Sequence, residues 1–168
     1  MPGPEDSRTP EKERPPLRNP EAYEALLNPE RTLPEVTLLL TAQETEDGAS
    51  PEEKQTMLYF DVSKPGSEDP VLTAAVLVLV PYGEAYLYDI GLTDTDNRDQ
   101  GYGKAAYLML LKYLSERNLR FRSGISLSKS AWKIWEWMRE KGAARLVHDR
   151  GTNEDNEDFY SYSDYEII

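Results

Sequence analysis

The stretch "NRDQGYGK" (residues 97–104) is the turning point of this chain. Two glycines stand one residue apart, with an arginine three places ahead of the first. The β-rich run "EAYLYDIGL" (84–92) precedes it. After it, Tyr107, Leu110, Leu111 and Leu114 recur at helical spacing as far as about Arg117. Such a stretch either cradles a phosphate or merely turns a strand into a helix.

Three familiar loops fail on their own spacing. A phosphate-binding GxxxxGK[ST] loop needs a glycine five places before Gly103 and Ser or Thr after Lys104, but Arg98 and Ala105 stand there. "GYGKAA" matches G-x-G-x-x-A, yet that dinucleotide fingerprint needs its glycines tight against a strand, and the polar "TDTDNRDQ" intervenes. "DTDNRDQG" lacks the glycine and glutamate of a calcium loop. What remains is R/Q-x-x-G-x-G/A, met by Arg98-Asp99-Gln100-Gly101-Tyr102-Gly103. Its logic is physical: glycines let the backbone approach a pyrophosphate, and the first N–H groups of the next helix point at the anion with the helix dipole behind them. Arg98 and Lys104 add cationic contacts at the rim.

Working outward, "EVTLLLTAQ" (35–43), "TMLYFDVS" (56–63), "VLTAAVLVLV" (71–80) and 84–92 read as four strands joined by short loops, hence an antiparallel meander. After the glycine helix, "LRFRSGISL" (119–127) reads as a strand. "SKSAWKIWEWMREKG" follows as a helix capped by Ser128 or Ser130, with Ala131, Ile134, Trp135 and Met138 as its apolar stripe and Gly142 at its end. "ARLVH" and "FYSYSDYEII" are the last strands, on either side of the acidic loop "DRGTNEDNED". Strand, long helix and strand imply a parallel crossover. The expected fold is therefore α/β: a mixed sheet with an antiparallel N-terminal meander followed by strand-helix-strand-helix-strand. Residues 1–19, rich in proline and charge, read as a disordered tail, and residues 20–168 as one domain. In "NPEAYEALLN", Asn19 and Pro20 begin a short helix with Tyr23, Leu26 and Leu27 on one face.

Composition narrows the chemistry. The chain has 168 residues, no cysteine and one histidine, so thiol nucleophiles, disulfides and Cys/His zinc sites are excluded and no metal is expected. His148, near a turn, reads as a surface residue. No apolar run reaches the length of a membrane span, and "MPGPEDSRTPEKERPP" has no apolar signal core, so a cytoplasmic protein without a membrane partner is expected. The formal net charge of −12 repels nucleic acid and favours cationic small molecules or basic protein segments.

The residues from about 54 to 147 resemble the GNAT superfamily of acetyltransferases, which use acetyl-coenzyme A. The resemblance rests on the glycine motif and on the order of strands and helices around it. It implies that Gln100, Gly101, Tyr102, Gly103 and Lys104 hold the coenzyme pyrophosphate through backbone N–H groups, with Arg98 at the motif's first place. It also implies that the preceding strand carries a bulge and splays from the next, leaving a wedge for the pantetheine arm. Ile90, Gly91 and Leu92 line one side of that wedge, Ser126 and Leu127 the other, with Ser128 beside them. A backbone N–H near Gly91 or Leu92 would polarise the thioester carbonyl. The acceptor amine must lose a proton, and Asp89 and Glu84 are the candidate bases.

Three features depart from the resemblance. The family's proton-donating tyrosine falls at Trp135, which has no hydroxyl, so the acid is Tyr160 or Tyr162, or none is needed. The first two strands are joined by the short "TEDGASPEEK" in place of two helices. The helix at 128–141 is about a turn long for the family. The implied function is an N-acetyltransferase acting on a cationic acceptor, either a small amine or a lysine-bearing protein, as a monomer or homodimer. The alternatives are an inactive coenzyme A-binding module and an acidic interaction protein that mimics nucleic acid.

Overall fold

The computed structural model describes residues 26, 33–47, 54–80, 82–93, 100–124, 127–157 and 159–167. The expected tail and most of the expected helix at 20–28 lie outside them; Leu26 is helical and fully buried.

Among the described residues, seven strands form one sheet: β1 Thr37–Asp47, β2 Lys54–Ser63, β3 Pro70–Val80, β4 Glu84–Leu92, β5 Arg120–Arg122, β6 Ala144–His148 and β7 Asp164–Ile167. Their order across the sheet is β1-β2-β3-β4-β5-β7-β6. The first four pair as an antiparallel meander, β4 pairs with β5 in parallel, and β7 returns antiparallel to both β5 and β6. Helix α1, Tyr102–Glu116, makes the parallel crossover from β4 to β5, and α2, Lys129–Glu140, leads from β5 to β6. The mixed α/β architecture expected from the sequence is the one observed. Among the described residues no helix is long and apolar enough to cross a membrane.

Both helices pack on one face. Phe60 of β2 meets Tyr113 of α1 edge-on, with ring centroids 5.0 Å apart. Tyr107 of α1, Phe121 of β5, Trp135 of α2 and Tyr165 of β7 form a contiguous aromatic cluster. Strand alternation then sends Tyr59 and Asp61 to the opposite face. In α1 the apolar stripe read from the sequence, Tyr107, Leu110, Leu111 and Leu114, is buried throughout.

Two strands are shorter than the sequence suggests. Among the described residues of the run at 119–127, only Arg120–Arg122 pair as a strand, because Gly124 takes φ 77° and turns the chain; Leu127 keeps a bridge to Ser161. Among the described residues of the run at 159–168, only Asp164–Ile167 form a strand. Before it, the Ser161 backbone bridges Leu127 and Thr152 instead of extending the ladder. β1 runs to Asp47, beyond the expected residue 43, because β2 pairs with it along its whole length.

Candidate functional site

The ladder between β4 and β5 covers only Glu84↔Arg120, Ala85↔Phe121 and Tyr86↔Arg122. From Leu87 onward, β4 pairs among the described residues only with β3. Past Arg122 the chain turns toward β7, where the Ser123 N–H donates to the Tyr165 carbonyl at 2.9 Å. The two strands therefore part, and the gap opens toward the C-terminal end of β4. A bulge lies within this free length. Ala75 pairs with Asp89 while Val76 pairs with Leu87, so Tyr88 is the extra residue. Ile90 and Leu92, half-buried, have the parity of the helix-side residues and pack against the core. Gly91 faces the other way, and a Cβ there would meet nothing within 4 Å.

The N-terminus of α1 sits at the same end. Gly101 is its N-cap, with φ 86° and no side-chain cap, and the first helical bond is Ala105 N–H to the Gly101 carbonyl at 3.0 Å. The Tyr102, Gly103 and Lys104 N–H groups precede that bond, so no carbonyl of the helix serves them. The two glycines have different reasons to be glycine. A Cβ on Gly101 would be strained by its φ and would approach Pro34 Cδ at 3.2 Å; on Gly103 it would press Ile134 Cδ1 of α2 at 3.3 Å. Gly103 thus lets α1 and α2 approach closely.

The side chains of the motif are engaged with the protein. Tyr102 is buried, and the Lys64 ammonium lies 5.6 Å from its ring centroid. Lys104 lies over Trp137 at 4.6 Å. Gln100 is exposed. Arg98 and Ser126 lie outside the described residues. Lys64, in the loop after β2, brings a cation to this end of the sheet that the motif did not reveal; nothing in its local sequence marks it.

The other candidates are dispersed. Asp89 is exposed beside the bulge. Glu84 sits at the opposite end of β4, about 13 Å away along the strand. There it is buried, pairs with Arg122 at 3.3 Å and accepts the Tyr86 hydroxyl at 2.7 Å. Arg122 also pairs with Asp164 and Glu166, and Arg145 reaches Glu166 from β6. Burial opposes the charge on Arg122, but Tyr86, Asp164, Glu84 and Glu166 more than offset it and raise its pKa. Burial, and then the bond to Glu84, raises that of Tyr86. His148 approaches Asp164 at 3.7 Å on the rim of this cluster.

Ser128 caps α2, its Oγ accepting the Ala131 N–H at 3.2 Å. Tyr160 is buried against Trp132, with Lys129 5.6 Å from its ring, and its backbone N–H donates to the Leu127 carbonyl at 2.9 Å. Tyr162 is 40% exposed. Trp135 is fully buried in the aromatic cluster, so packing accounts for it.

No protein-family model matches the chain, and no curated protein matches it. Among solved structures it is similar to the ribosomal-protein-S18-alanine N-acetyltransferase of Escherichia coli, at 21% identity and a TM-score of 0.45, over 66% of each chain. It is similar to a GNAT-family acetyltransferase of Staphylococcus aureus Mu50 at 13% identity and a TM-score of 0.43, again over 66% of each chain. It is also similar to the IAA acetyltransferase of Bacillus cereus ATCC 14579 at 13% identity and a TM-score of 0.45, over 66% of this chain and 74% of that one. The chain thus spans just under two thirds of the first two of these acetyltransferases and is similar to all three over part of its length.

Proposed function

We propose that this chain is an N-acetyltransferase of the GNAT type that takes its acetyl group from acetyl-coenzyme A and passes it to an amine on a cationic acceptor. One observation carries the reading: the gap between β4 and β5, the bulge at Tyr88 and the glycine-opened N-terminus of α1 lie at the same end of the sheet. A pyrophosphate fits the first-turn N–H groups of Tyr102, Gly103 and Lys104, with Lys64 and Lys104 as nearby cations. When bound, the coenzyme supplies an acyl carbon activated as a thioester. Asp89, exposed next to the bulge, is the carboxylate available to take the amine's proton. Glu84 is held by Arg122 and serves the sheet. The net charge of −12 favours a cationic acceptor.

Calorimetric titration with acetyl-coenzyme A, beside Lys104→Glu, tests the cradle. A glutamate in the first turn suits the helix dipole, so the fold should persist while the anion is repelled. Binding by the natural chain and a loss of about tenfold or more in the variant, roughly 1.4 kcal/mol, is expected. An unaltered affinity in the variant, or no binding by either protein, refutes the reading. Gly103→Glu is a poorer probe, because its Cβ would press on Ile134.

A second reading, a coenzyme-binding module without turnover, is favoured by Trp135, which stands fully buried at the place of the family's tyrosine. Release of free thiol from acetyl-coenzyme A in the presence of an amine panel separates the two.

A further inference from the structure

The face of β1–β4 turned away from both helices is unlike the rest of the molecule. Register places Leu39, Ala42, Glu44 and Glu46 of β1 there, with Met57, Tyr59 and Asp61 of β2, in line with Thr73, Ala75 and Leu77 of β3. β4 adds the bulged Tyr88, together with Asp89 and Gly91. Leu39 is 63% exposed and Tyr88 71%. The Tyr59 hydroxyl donates to Glu44 at 3.4 Å, and Glu44, Glu46 and Tyr88 all act electrostatically on its phenol.

Two features give this face a shape and a charge. Ala75 lies between Tyr59 and the bulge that carries Tyr88, so two rings flank a small side chain across two strand spacings, about 10 Å. A cation held over Ala75 lies in the space between the two tyrosines, and a ring within about 6 Å attracts it. Glu44, Glu46, Asp61 and Asp89 share the face, and the only Lys or Arg within the four strands, Lys54, has the opposite parity. The acidic and apolar groups spread over all four strands, about 14 Å, which is wider than one ammonium group. Met57 and Leu77 pair beside the carboxylates and offer apolar surface to the methylene stems of long basic side chains.

We propose that the outer face of β1–β4 is a docking surface for a lysine- or arginine-bearing segment of a partner protein, with a cationic side chain seated between Tyr59 and Tyr88. The surface stands whether or not the gap beside β4 holds a coenzyme. Where the acyl-transfer reading also holds, it makes the acceptor a protein.

Fluorescence anisotropy with a labelled peptide of alternating Lys and Gly tests the proposal at about 20 mM and about 300 mM salt, a range over which the screening length falls about fourfold. The natural chain should bind at low salt and lose about tenfold at high salt, since the contacts are exposed charges. The double variant Glu44→Gln/Asp61→Asn should bind about tenfold more weakly and Tyr88→Ser about threefold more weakly, with unchanged thermal melts. Glu154→Gln/Asp155→Asn, in the separate acidic loop, should bind as the natural chain does. The proposal is overturned if the sheet variants bind like the natural chain, if the loop variant alone loses binding, if spermidine competes as well as the peptide, or if nothing binds at low salt. Acetyl-coenzyme A titration of the Glu44→Gln/Asp61→Asn variant should be unaffected. Peptide binding without coenzyme binding sinks only the acyl-transfer reading, and the reverse sinks only the docking surface.

Discussion

Gly101 and Gly103 look equivalent in "GYGK", and their surroundings make them different. Gly101→Ala must hold a Cβ at φ 86° and press it toward Pro34. We expect it to lower stability by about 1–2 kcal/mol, read as a shift in the urea midpoint. Gly103→Ala sits within α1, where alanine gains roughly 0.5–1 kcal/mol of helix propensity, and only Ile134 has to give way. Its midpoint should stay within about 0.5 kcal/mol of the natural chain, so equal large losses in both variants would refute this division. Ser128 is a third residue whose local job is plain. Its Oγ caps α2, and Ser128→Ala should cost about 1 kcal/mol of stability in the same measurement.

Among the elements, the junction of β4, β5 and β7 sets where the gap begins. Arg122 is the last residue of β5 paired with β4, and its guanidinium spans Glu84 on one neighbour and Asp164 and Glu166 on the other. Arg122→Met would leave those carboxylates buried without their shared cation, a loss of about 3–5 kcal/mol. A denaturation midpoint lowered by less than about 1 kcal/mol would show that the strands are held without the pair. The strands of the meander were readable as apolar, β-rich runs joined by short loops, and β4 was placed to the residue. The ends of β5 and β7 were not readable. Their β-branched and aromatic residues fit a strand locally, but Gly124 turns one chain away and Ser161 bridges two separate segments. Those are choices of partner, which propensity does not encode.

For the whole molecule, the buried phenols set an upper pH limit. Burial raises the pKa of Tyr107 and of Tyr86, and burial followed by Glu136 pushes Tyr165 up to about 12. In the unfolded chain these groups titrate near 10. Between those values the unfolded state has lost protons that the folded state keeps, so the slope of stability with pH is negative. The contribution is fully present below about pH 10 and is lost as pH rises through the folded values. Urea midpoints taken from pH 8 upward should be level and then fall beyond about pH 10; a level profile through pH 11 would contradict this. Charge is also a property of the whole. The net −12 was plain from composition, but the gathering of Glu44, Asp61 and Asp89 on the outer face of β1–β4 arises only when the register of the strands brings them to one side.

The sequence by itself determined the class of fold, the order of its elements, the stripe of α1 and the glycine turn at its head. Periodicity and turn chemistry are local, and each element's neighbours in the chain state them. Only the tertiary structure decided what the candidate residues do. Glu84 and Asp89 share one strand and both carry a carboxylate, yet the first meets Arg122 under a covered part of the sheet and the second stays exposed beside a bulge. Trp135 already stood on the apolar stripe of α2 in the sequence, and the tertiary structure adds which rings meet it: Tyr107, Phe121 and Tyr165, from three other elements. Contacts between residues distant in the chain depend on register and crossover, and no local pattern carries those.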